Sequence, residues 1–460
     1  MGEEEKFIAR TELPVGAGDV YEWHAREGAF ERLQPPWERV EVTRRSGGIA
    51  PGGVVELRTR FAPGVWLGWR VRHEGLEGGV GFADVSERGP FASWRHEHRF
   101  EPRPGGGSAL ADWIRYRLPG GELGRVLAAA TTRSRLERMF RYRHSVTRDD
   151  LVFWHNTRQC ARMRVVVTGA GGMVGSALLP FLSTQGHETV ALSRSGGGDS
   201  NRAVWNPDAG ELDPAVLDGA NGIVHLAGAN IAEGRWTRSR KREILESRVN
   251  STRLLVEAMR KSARRPEVLV CASATGYYGD TGDVLVDEDA PSGKGFLAEV
   301  CRAWEAEAMR AAELGVRVVL LRNGVVLDPR GGALAKLLPV FRAGLGGPVG
   351  GGRQWMSWSS IDDTVGAILF ALLEPTLAGP VNAVSPQPVT NADFAHALGR
   401  VLGRPSVAPA PATALKLLYG QMAEETVLAS SRVDPRRLSE AGYPFRHPDP
   451  EGALRHVLGK

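Results

Sequence analysis

The stretch Met163–Gly175 reads MRVVVTGAGGMVG. An apolar β-branched run, Val165 to Val167, breaks into glycines and then resumes as apolar residues at helical spacing. That is the pattern of a buried strand, a tight turn and a helix start. Within the turn, Thr168, Gly169, Gly172 and Gly175 fit the spacing TGxxGxxG. Gly169 permits a turn that a Cβ would obstruct. Gly172 lets backbone N–H groups approach a pyrophosphate at the helix N-terminus, and Gly175 lets helix and strand pack closely. In a chain with 57 glycines the pattern does not stand alone, so its surroundings decide.

Downstream, Met173, Val174, Ala177, Leu178, Phe181 and Leu182 continue as a helix, and His187–Arg194 (HETVALSR) reads as the second strand. Folds that prefer NAD carry an acid near the end of that strand, bonded to the ribose 2′-hydroxyl. Here Ser193 and Arg194 stand there. An arginine would accept a 2′-phosphate and stack on adenine, which favours NADP over NAD. The plainer alternative is a surface arginine on a loop. Gly222–Gly228 (GIVHLAG) is a further strand, and its small end residues, Ala227 and Gly228, would let a cofactor pass over the strand's carboxyl end. A helix over Thr237–Met259, a strand over Glu267–Ala274, a helix over Phe296–Leu314 and a strand over Val316–Leu321 continue the alternation. This predicts an α/β Rossmann domain, a doubly wound parallel sheet with its ligand at the carboxyl edge. The candidate cofactor contacts are Thr168, Gly169, Gly172, Met173, Val174, Gly175, Ser193, Arg194, Ala227 and Gly228.

Upstream the texture differs. Phe7–Leu13 alternates as a strand, and Asp19 can cap a short helix through Val20, Trp23 and His24. From Val40 to Arg117, short alternating runs separated by glycine turns read as an antiparallel meander. From Glu122 to about Arg143, Leu123, Val126, Leu127, Ala130, Leu136, Met139 and Phe140 fall on one helical stripe. Trp94, His96, His98 and Phe100 share one strand face, so the two histidines could chelate a metal. No third ligand is identifiable in the sequence, so they read as ordinary pocket histidines, with no metal site expected. Residues 155–162 lack periodicity and mark a boundary. The expected domains are 1–158, 163–385 and 386–460.

Composition narrows the classes. With 460 residues, 42% of them apolar and 24% charged, the chain suits two or three globular domains. The net charge of +5 comes mainly from arginines interspersed with acids, which gives no sign of a nucleic-acid binder. Cys160, Cys271 and Cys301 form neither a zinc pattern nor a disulfide framework. The acidic start MGEEEKF has no apolar signal core, and no stretch approaches the roughly 20 apolar residues of a membrane span. A cytoplasmic location is the resulting expectation.

Two resemblances sharpen this picture. WHAREGAFERLQPPWE (23–38) and GPFASWRHEHRF (89–100), with the element order, resemble the SRPBCC superfamily of START-type lipid binders and polyketide cyclases. That implies an α+β helix-grip domain holding a hydrophobic ligand. From Met163 onward, HLAG (225–228), SRVNSTRLLVEA (247–258), SATGYYGD (273–280), LRNGVVLDPRGGAL (321–334) and GGPVGGGRQWMSW (346–358) occur in order. Together they resemble the epimerase-like family of atypical short-chain dehydrogenase/reductases. The resemblance implies NADP, a small-molecule substrate, a C-terminal module of unknown function covering that substrate, and possible pairing as a homodimer.

In the wider superfamily a Ser/Thr hydroxyl polarises the substrate oxygen, and a Tyr-x-x-x-Lys pair supplies the acid/base. By that correspondence Ser273 or Thr275 falls near the hydroxyl position. The pair would lie in KGFLAEVCRAWEAEA (294–308), where Leu297, or the adjacent Phe296, occupies the tyrosine place and Cys301 the lysine place. None of these transfers a proton in that way. Tyr277 and Tyr278 follow the strand end, and Tyr278 is the substitute candidate. The catalytic candidates are therefore Ser273, Thr275 and Tyr278. Trp355, Trp358 and Arg353 would wall a substrate cleft or pack the loop beside it. Ser359-Ser360-Ile361 replaces the Ile-His that this family carries before its Asp-Asp. The functional expectation is an NADP-binding, epimerase-like oxidoreductase. The alternatives are a redox-inactive NADP-binding regulator and a carrier of a hydrophobic ligand through the N-terminal domain.

Overall fold

In the computed structural model, residues 3–62, 64–76, 80–194 and 201–460 are described. The chain falls into two compact units: the first holds the residues up to Ala161 together with Ser183–Gly186 and Gly459, and the second holds the rest from Arg162 onward.

The first unit starts with β1 (Glu5–Leu13), followed by the short helices α1 (Ala17–Ala25) and α2 (Ala29–Arg32). Asp19 is not the N-cap of α1. Gly16 holds that place, and Asp19, three residues on, reaches back to accept the Gly16 N–H at 3.2 Å. Six strands follow: β2 (Val40–Ser46), β3 (Val54–Ala62), β4 (Val65–Gly75), β5 (Val80–Arg88), β6 (Ser93–Pro102) and β7 (Ser108–Arg117). They form an antiparallel sheet in the order β1-β7-β6-β5-β4-β3-β2. Alternation puts Phe7, Trp94, Ile114 and Tyr116 on one face, where they pack with Leu136 and Phe140 of α3 (Gly121–Thr157).

Helix α3 is longer than the stripe ending near Arg143 suggests, because Val146, Leu151 and Phe153 carry buried positions onward. Its beginning also differs from expectation. Leu123, Val126 and Leu127 are 70%, 76% and 74% exposed. A helix of 37 residues spans about 55 Å, whereas no dimension of a seven-stranded sheet with strands of this length exceeds about 35 Å. One end of α3 must therefore run past the sheet.

The second unit is built on β8 (Arg164–Thr168), α4 (Met173–Thr184), β9 (Glu188–Ser193), β10 (Arg202–Asn206), β11 (Glu211–Leu212), β12 (Gly222–His225), α5 (Arg238–Lys261), β13 (Val268–Ala274), α6 (Phe296–Met309) and β14 (Arg317–Asn323). Then come β15 (Val325–Leu327), α7 (Gly332–Arg342), β16 (Trp355–Met356), β17 (Trp358–Ser360), α8 (Ile361–Leu373) and β18 (Gly379–Ala383). The main sheet runs β11-β10-β9-β8-β12-β13-β14-β18 and is parallel except at β11. Val165, Val166 and Val167 of the central β8 are fully buried between helical layers, as a continuous apolar run requires. Chain order reverses between β8 and β12. In a doubly wound sheet that is where the crevice opens at the strands' carboxyl ends.

The chain ends with β19 (Val389–Thr390), α9 (Asn391–Leu402), α10 (Ala412–Tyr419), α11 (Gln421–Glu425), α12 (Arg436–Glu440) and α13 (Pro450–Leu458). The apolar stretch from Leu415 to Met422 is two helices rather than one, because Gly420 at φ +58° and ψ −136° breaks it. This segment belongs to the same compact unit as the sheet and does not stand apart. The buried Tyr443 hydroxyl donates to the Asp363 carbonyl at 2.9 Å, and the Arg446 N–H donates to the Asp363 carboxylate at 2.7 Å. Among the described residues no helix is long and apolar enough to cross a membrane.

Candidate cofactor crevice

The glycine turn sits at the reversal point. Gly169 has φ +68°, the left-handed region, and a Cβ there would lie 2.8–2.9 Å from the backbone of Leu226 and Ala227. A Cβ on Gly175 would press on the backbone of Gly169 and Ala170, so the turn and the first helical turn are in direct contact. Gly172 helps to close the turn: its N–H donates to the Gly169 carbonyl at 2.9 Å. The first helical bond runs from the Ser176 N–H to the Gly172 carbonyl. This leaves the N–H groups of Met173, Val174 and Gly175 without intrahelical partners, the arrangement that binds anions. Gly171 has open space on its Cβ side, so a ligand can approach there.

Thr168 is fully buried, and its role is internal. Its Oγ1 accepts the N–H groups of Leu226 and Ala227 at 3.1 and 3.2 Å and sits 2.7 Å from His225 Nδ1. It shapes the crevice by tying the end of β12 to β8, and its hydroxyl is not available to a cofactor. The other ring nitrogen of His225 lies 3.0 Å from Thr252 Oγ1 and 3.2 Å from Ser251 Oγ. Burial, with the nearby charge of Arg248, pushes the His225 pKa down to about 3, so the ring is neutral. The Arg248 guanidinium donates to the carbonyls of Ala229 and Ile244 at 3.1 and 3.0 Å and lies over the Trp304 ring. It also crowds Gly228, where a Cβ would meet it at 3.1 Å. Ala227 and Gly228 thus lie at the crevice, held by Thr168, His225 and Arg248. At the next strand, Ser193 is half-buried and Arg194 exposed, at the carboxyl end of β9.

The catalytic candidates fare differently from one another. Ser273 is buried, and its hydroxyl donates to Glu305 Oε1 at 2.6 Å. Glu305 also receives two bonds from Arg322, at 2.9 and 2.8 Å. Arg322 is only 2% exposed. Burial disfavours its charge, but the bidentate carboxylate overcomes this and keeps it ionised. The same guanidinium donates to the Tyr278 hydroxyl at 2.9 Å, and that hydroxyl donates to Asn382 Oδ1 at 2.8 Å. Burial raises the Tyr278 pKa to about 12. Ser273 and Tyr278 are therefore parts of one buried strut across the ends of β13, β14 and β18. Both hydroxyls are engaged by protein partners, Ser273 by Glu305 and Tyr278 by Arg322 and Asn382. The Tyr277 ring lies against Arg322, with the guanidinium carbon 3.5 Å from the ring centre. Thr275 stays available. It opens the short 3₁₀ turn Thr275–Tyr278, is half-buried, and its hydroxyl has no protein partner among the described residues.

On α6, Leu297 packs against Gly276, and the Cys301 thiol, buried and raised to about 11, lies 3.7 Å from the Ala274 carbonyl. Cys301 is thus a neutral core thiol. The amides that open α6, Phe296 and Leu297, donate to the two oxygens of Glu425 at 3.0 and 2.9 Å. A carboxylate from the C-terminal segment therefore occupies this helix N-terminus. Trp358 is fully buried, bonded to the Gln387 carbonyl at 3.0 Å, and does not line a cleft. Trp355 bonds Asp283 at 2.9 Å beneath the Arg432 guanidinium, and Arg353 is exposed. Ser360 caps α8 by accepting the Asp363 N–H at 3.0 Å.

Comparison with known proteins adds the following. Residues 165–383 match the NAD dependent epimerase/dehydratase family, and residues 410–457 match a domain of unknown function, DUF1731. The epimerase family protein Mb2239 of Mycobacterium bovis is 42% identical over 283 residues, covering 62% of this chain and 93% of that protein. The solved nucleoside-diphosphate sugar epimerase of Corynebacterium glutamicum is 33% identical, with a TM-score of 0.80 over 98% of this chain and 90% of that one. The human epimerase family protein SDR39U1, solved with NADPH, is 35% identical, with a TM-score of 0.60 over 64% of this chain and 99% of that one.

Proposed function

The chain belongs to the NAD-dependent epimerase/dehydratase family, and on that footing we propose that it binds NADP(H) at the Gly169–Gly175 turn and acts as an oxidoreductase on a small molecule. One observation carries the proposal. Three amides with no hydrogen-bond partner among the described residues, those of Met173, Val174 and Gly175, open a helix at the sheet's reversal point, beside a glycine with empty space next to it. The residues suit the cofactor. The amides would hold the pyrophosphate, Ala227 and Gly228 would let the nucleotide pass, and Arg194 would pair with a 2′-phosphate. The NADPH in the human relative supports that choice over NAD. When bound, the nicotinamide supplies or accepts a hydride.

The chain's own contribution is positioning more than proton transfer. With Leu297 and Cys301 in place of Tyr and Lys, and Tyr278 and Ser273 both occupied, Thr275 is the hydroxyl left to orient a substrate oxygen. We read the first unit as SRPBCC-like from its element order, and the C-terminal segment as the cover of the substrate side. The hydrophobic cargo implied by that likeness is disfavoured, since the centre of the covered sheet face carries His96, His98 and Asp112.

Titration with NADPH, followed by transfer of label from 4-deuterated NADPH to a panel of carbonyl and sugar-nucleotide substrates, tests the proposal. Binding with transfer that Thr275→Val abolishes supports it, and absence of binding overturns it. The locked Tyr278 and the missing pair favour a second reading, a redox-inactive NADP-binding regulator. That reading is the one left standing if NADPH binds and no label moves.

A further inference from the structure

The first unit gathers seven ionisable side chains that the nucleotide crevice does not use. His96 and His98 of β6 face Asp84 of β5, Asp112 of β7, His73 of β4 and His144 of α3, with His24 of α1 beside them. We propose that Asp84, His96 and His98 form a binding site for a divalent transition-metal ion. One atom of each converges on a single point, since His96 Nδ1 lies 3.6 Å and His98 Nε2 lies 3.4 Å from the same Asp84 oxygen, Oδ2. All three ligand atoms lie within 4.8 Å of one another. Metal–ligand bonds of about 2.1 Å at a tetrahedral angle put ligand atoms roughly 3.4 Å apart.

The outward-facing atoms carry the stronger argument. Ligating histidines almost always give their other nitrogen to a carboxylate or carbonyl, which fixes tautomer and orientation. His96 Nε2 lies 2.7 Å from Asp112 Oδ1, and His98 Nδ1 lies 2.8 Å from the same oxygen. His98 is nine-tenths buried, and its ring stacks on Phe82 with Nδ1 turned toward Asp112 and Nε2 toward Asp84. Asp112 is fixed in turn by His144 Nε2 at 2.6 Å, and Asp84 Oδ1 by His73 Nδ1 at 2.7 Å. The half-buried Arg143 on α3 sets a positive charge near both carboxylates. Asp84 keeps 21% of its side chain exposed, which leaves an approach for the ion. Two nitrogens and one oxygen suit zinc or a neighbouring divalent ion, and three protein ligands leave a position open for water or an oxygen-donor ligand.

Cobalt(II) is the probe, titrated into tag-free, chelator-stripped full-length protein. The expected result is one equivalent bound, with a visible d–d spectrum that Asp84→Asn and His98→Gln remove. His73→Gln, which acts only through Asp84, should weaken binding about 10- to 100-fold. His456→Gln, in the separate Asp362/His447/His456 group, should change nothing. Absence of binding by the wild-type protein overturns the proposal whether or not the variants fold. A spectrum that survives Asp84→Asn and His98→Gln, or disappears in His456→Gln, overturns it as well.

Discussion

Replacing Gly175 by alanine tests the crevice most sharply. The new Cβ would lie 2.7 Å from Ala170 Cα and 2.9 Å from the Gly169 carbonyl carbon, and nearer still to the Gly169 oxygen. Ordinary contact begins at 3.4 Å, so helix and turn must separate by about 0.7 Å or more. Neither side yields easily, because the obstructing atoms are backbone and the Leu226–Ala227 backbone lies directly behind Gly169. Overpacking of this kind costs about 1–3 kcal/mol of stability. The same displacement moves the amides of Met173 and Val174 out of the narrow distance window of a hydrogen bond. Losing one or two bonds to a charged group, at about 1.5–3 kcal/mol each, weakens NADPH binding at least roughly tenfold. Gly171→Ala is the paired control. Its Cβ meets nothing within 4 Å, so the melting temperature should hold while NADPH affinity falls, because the methyl intrudes where the ligand lies. Fluorescence titration with NADPH and thermal melts of both variants read the two effects. A Gly175→Ala protein that loses stability yet binds NADPH like the wild type would refute the placement of the pyrophosphate on this turn.

Other outcomes follow from the same geometry. Arg194→Ser should cost NADPH, but not NADH, about tenfold in affinity, the low end for a charged bond at an exposed side chain; equal losses would remove the arginine from the 2′-phosphate. Tyr278→Phe leaves Asn382 and one Arg322 N–H without their partner and should destabilise the protein by about 1–3 kcal/mol in denaturant. It should leave turnover intact, and abolished turnover with normal NADPH binding would make Tyr278 catalytic after all. His225 titrates at about 3 when folded, below its unfolded value, so the unfolded chain takes up the proton first. Its contribution is complete above about pH 6.5 and is lost as pH falls toward 3, about 2 kcal/mol by pH 5. The pH dependence of unfolding in that window should flatten in His225→Gln, and an unchanged profile would contradict the neutral buried ring.

Much of the second unit is legible in the sequence, because a β-branched run closed by glycines has few structural alternatives. Val165–Val167 and Gly169 specify strand and turn by local sterics alone. Pairings between distant elements are the harder part. Ser273, Thr275 and Tyr278 look alike as hydroxyls near one strand end. What separates them is Glu305 on α6 and Arg322 on β14, which occupy the first and last of the three. A signal for this existed, since Arg322 and His225 each end an apolar strand where a polar residue requires a buried partner. Likewise, the His96/His98 face was visible as a period of two. Asp84, Asp112 and His144 became its neighbours only through strand register and the docking of α3. The stripe through Leu123, Val126 and Leu127 misled because periodicity records which face is apolar, not how far the sheet extends beneath it.

A crystal structure of the full-length protein with NADPH bears most directly on the central claim. The pyrophosphate should accept the amides of Met173 and Val174 beside Gly171, with the 2′-phosphate against Arg194 and the nicotinamide near Thr275. NADPH bound elsewhere, or a crevice that takes up no nucleotide at saturating concentration, would contradict it.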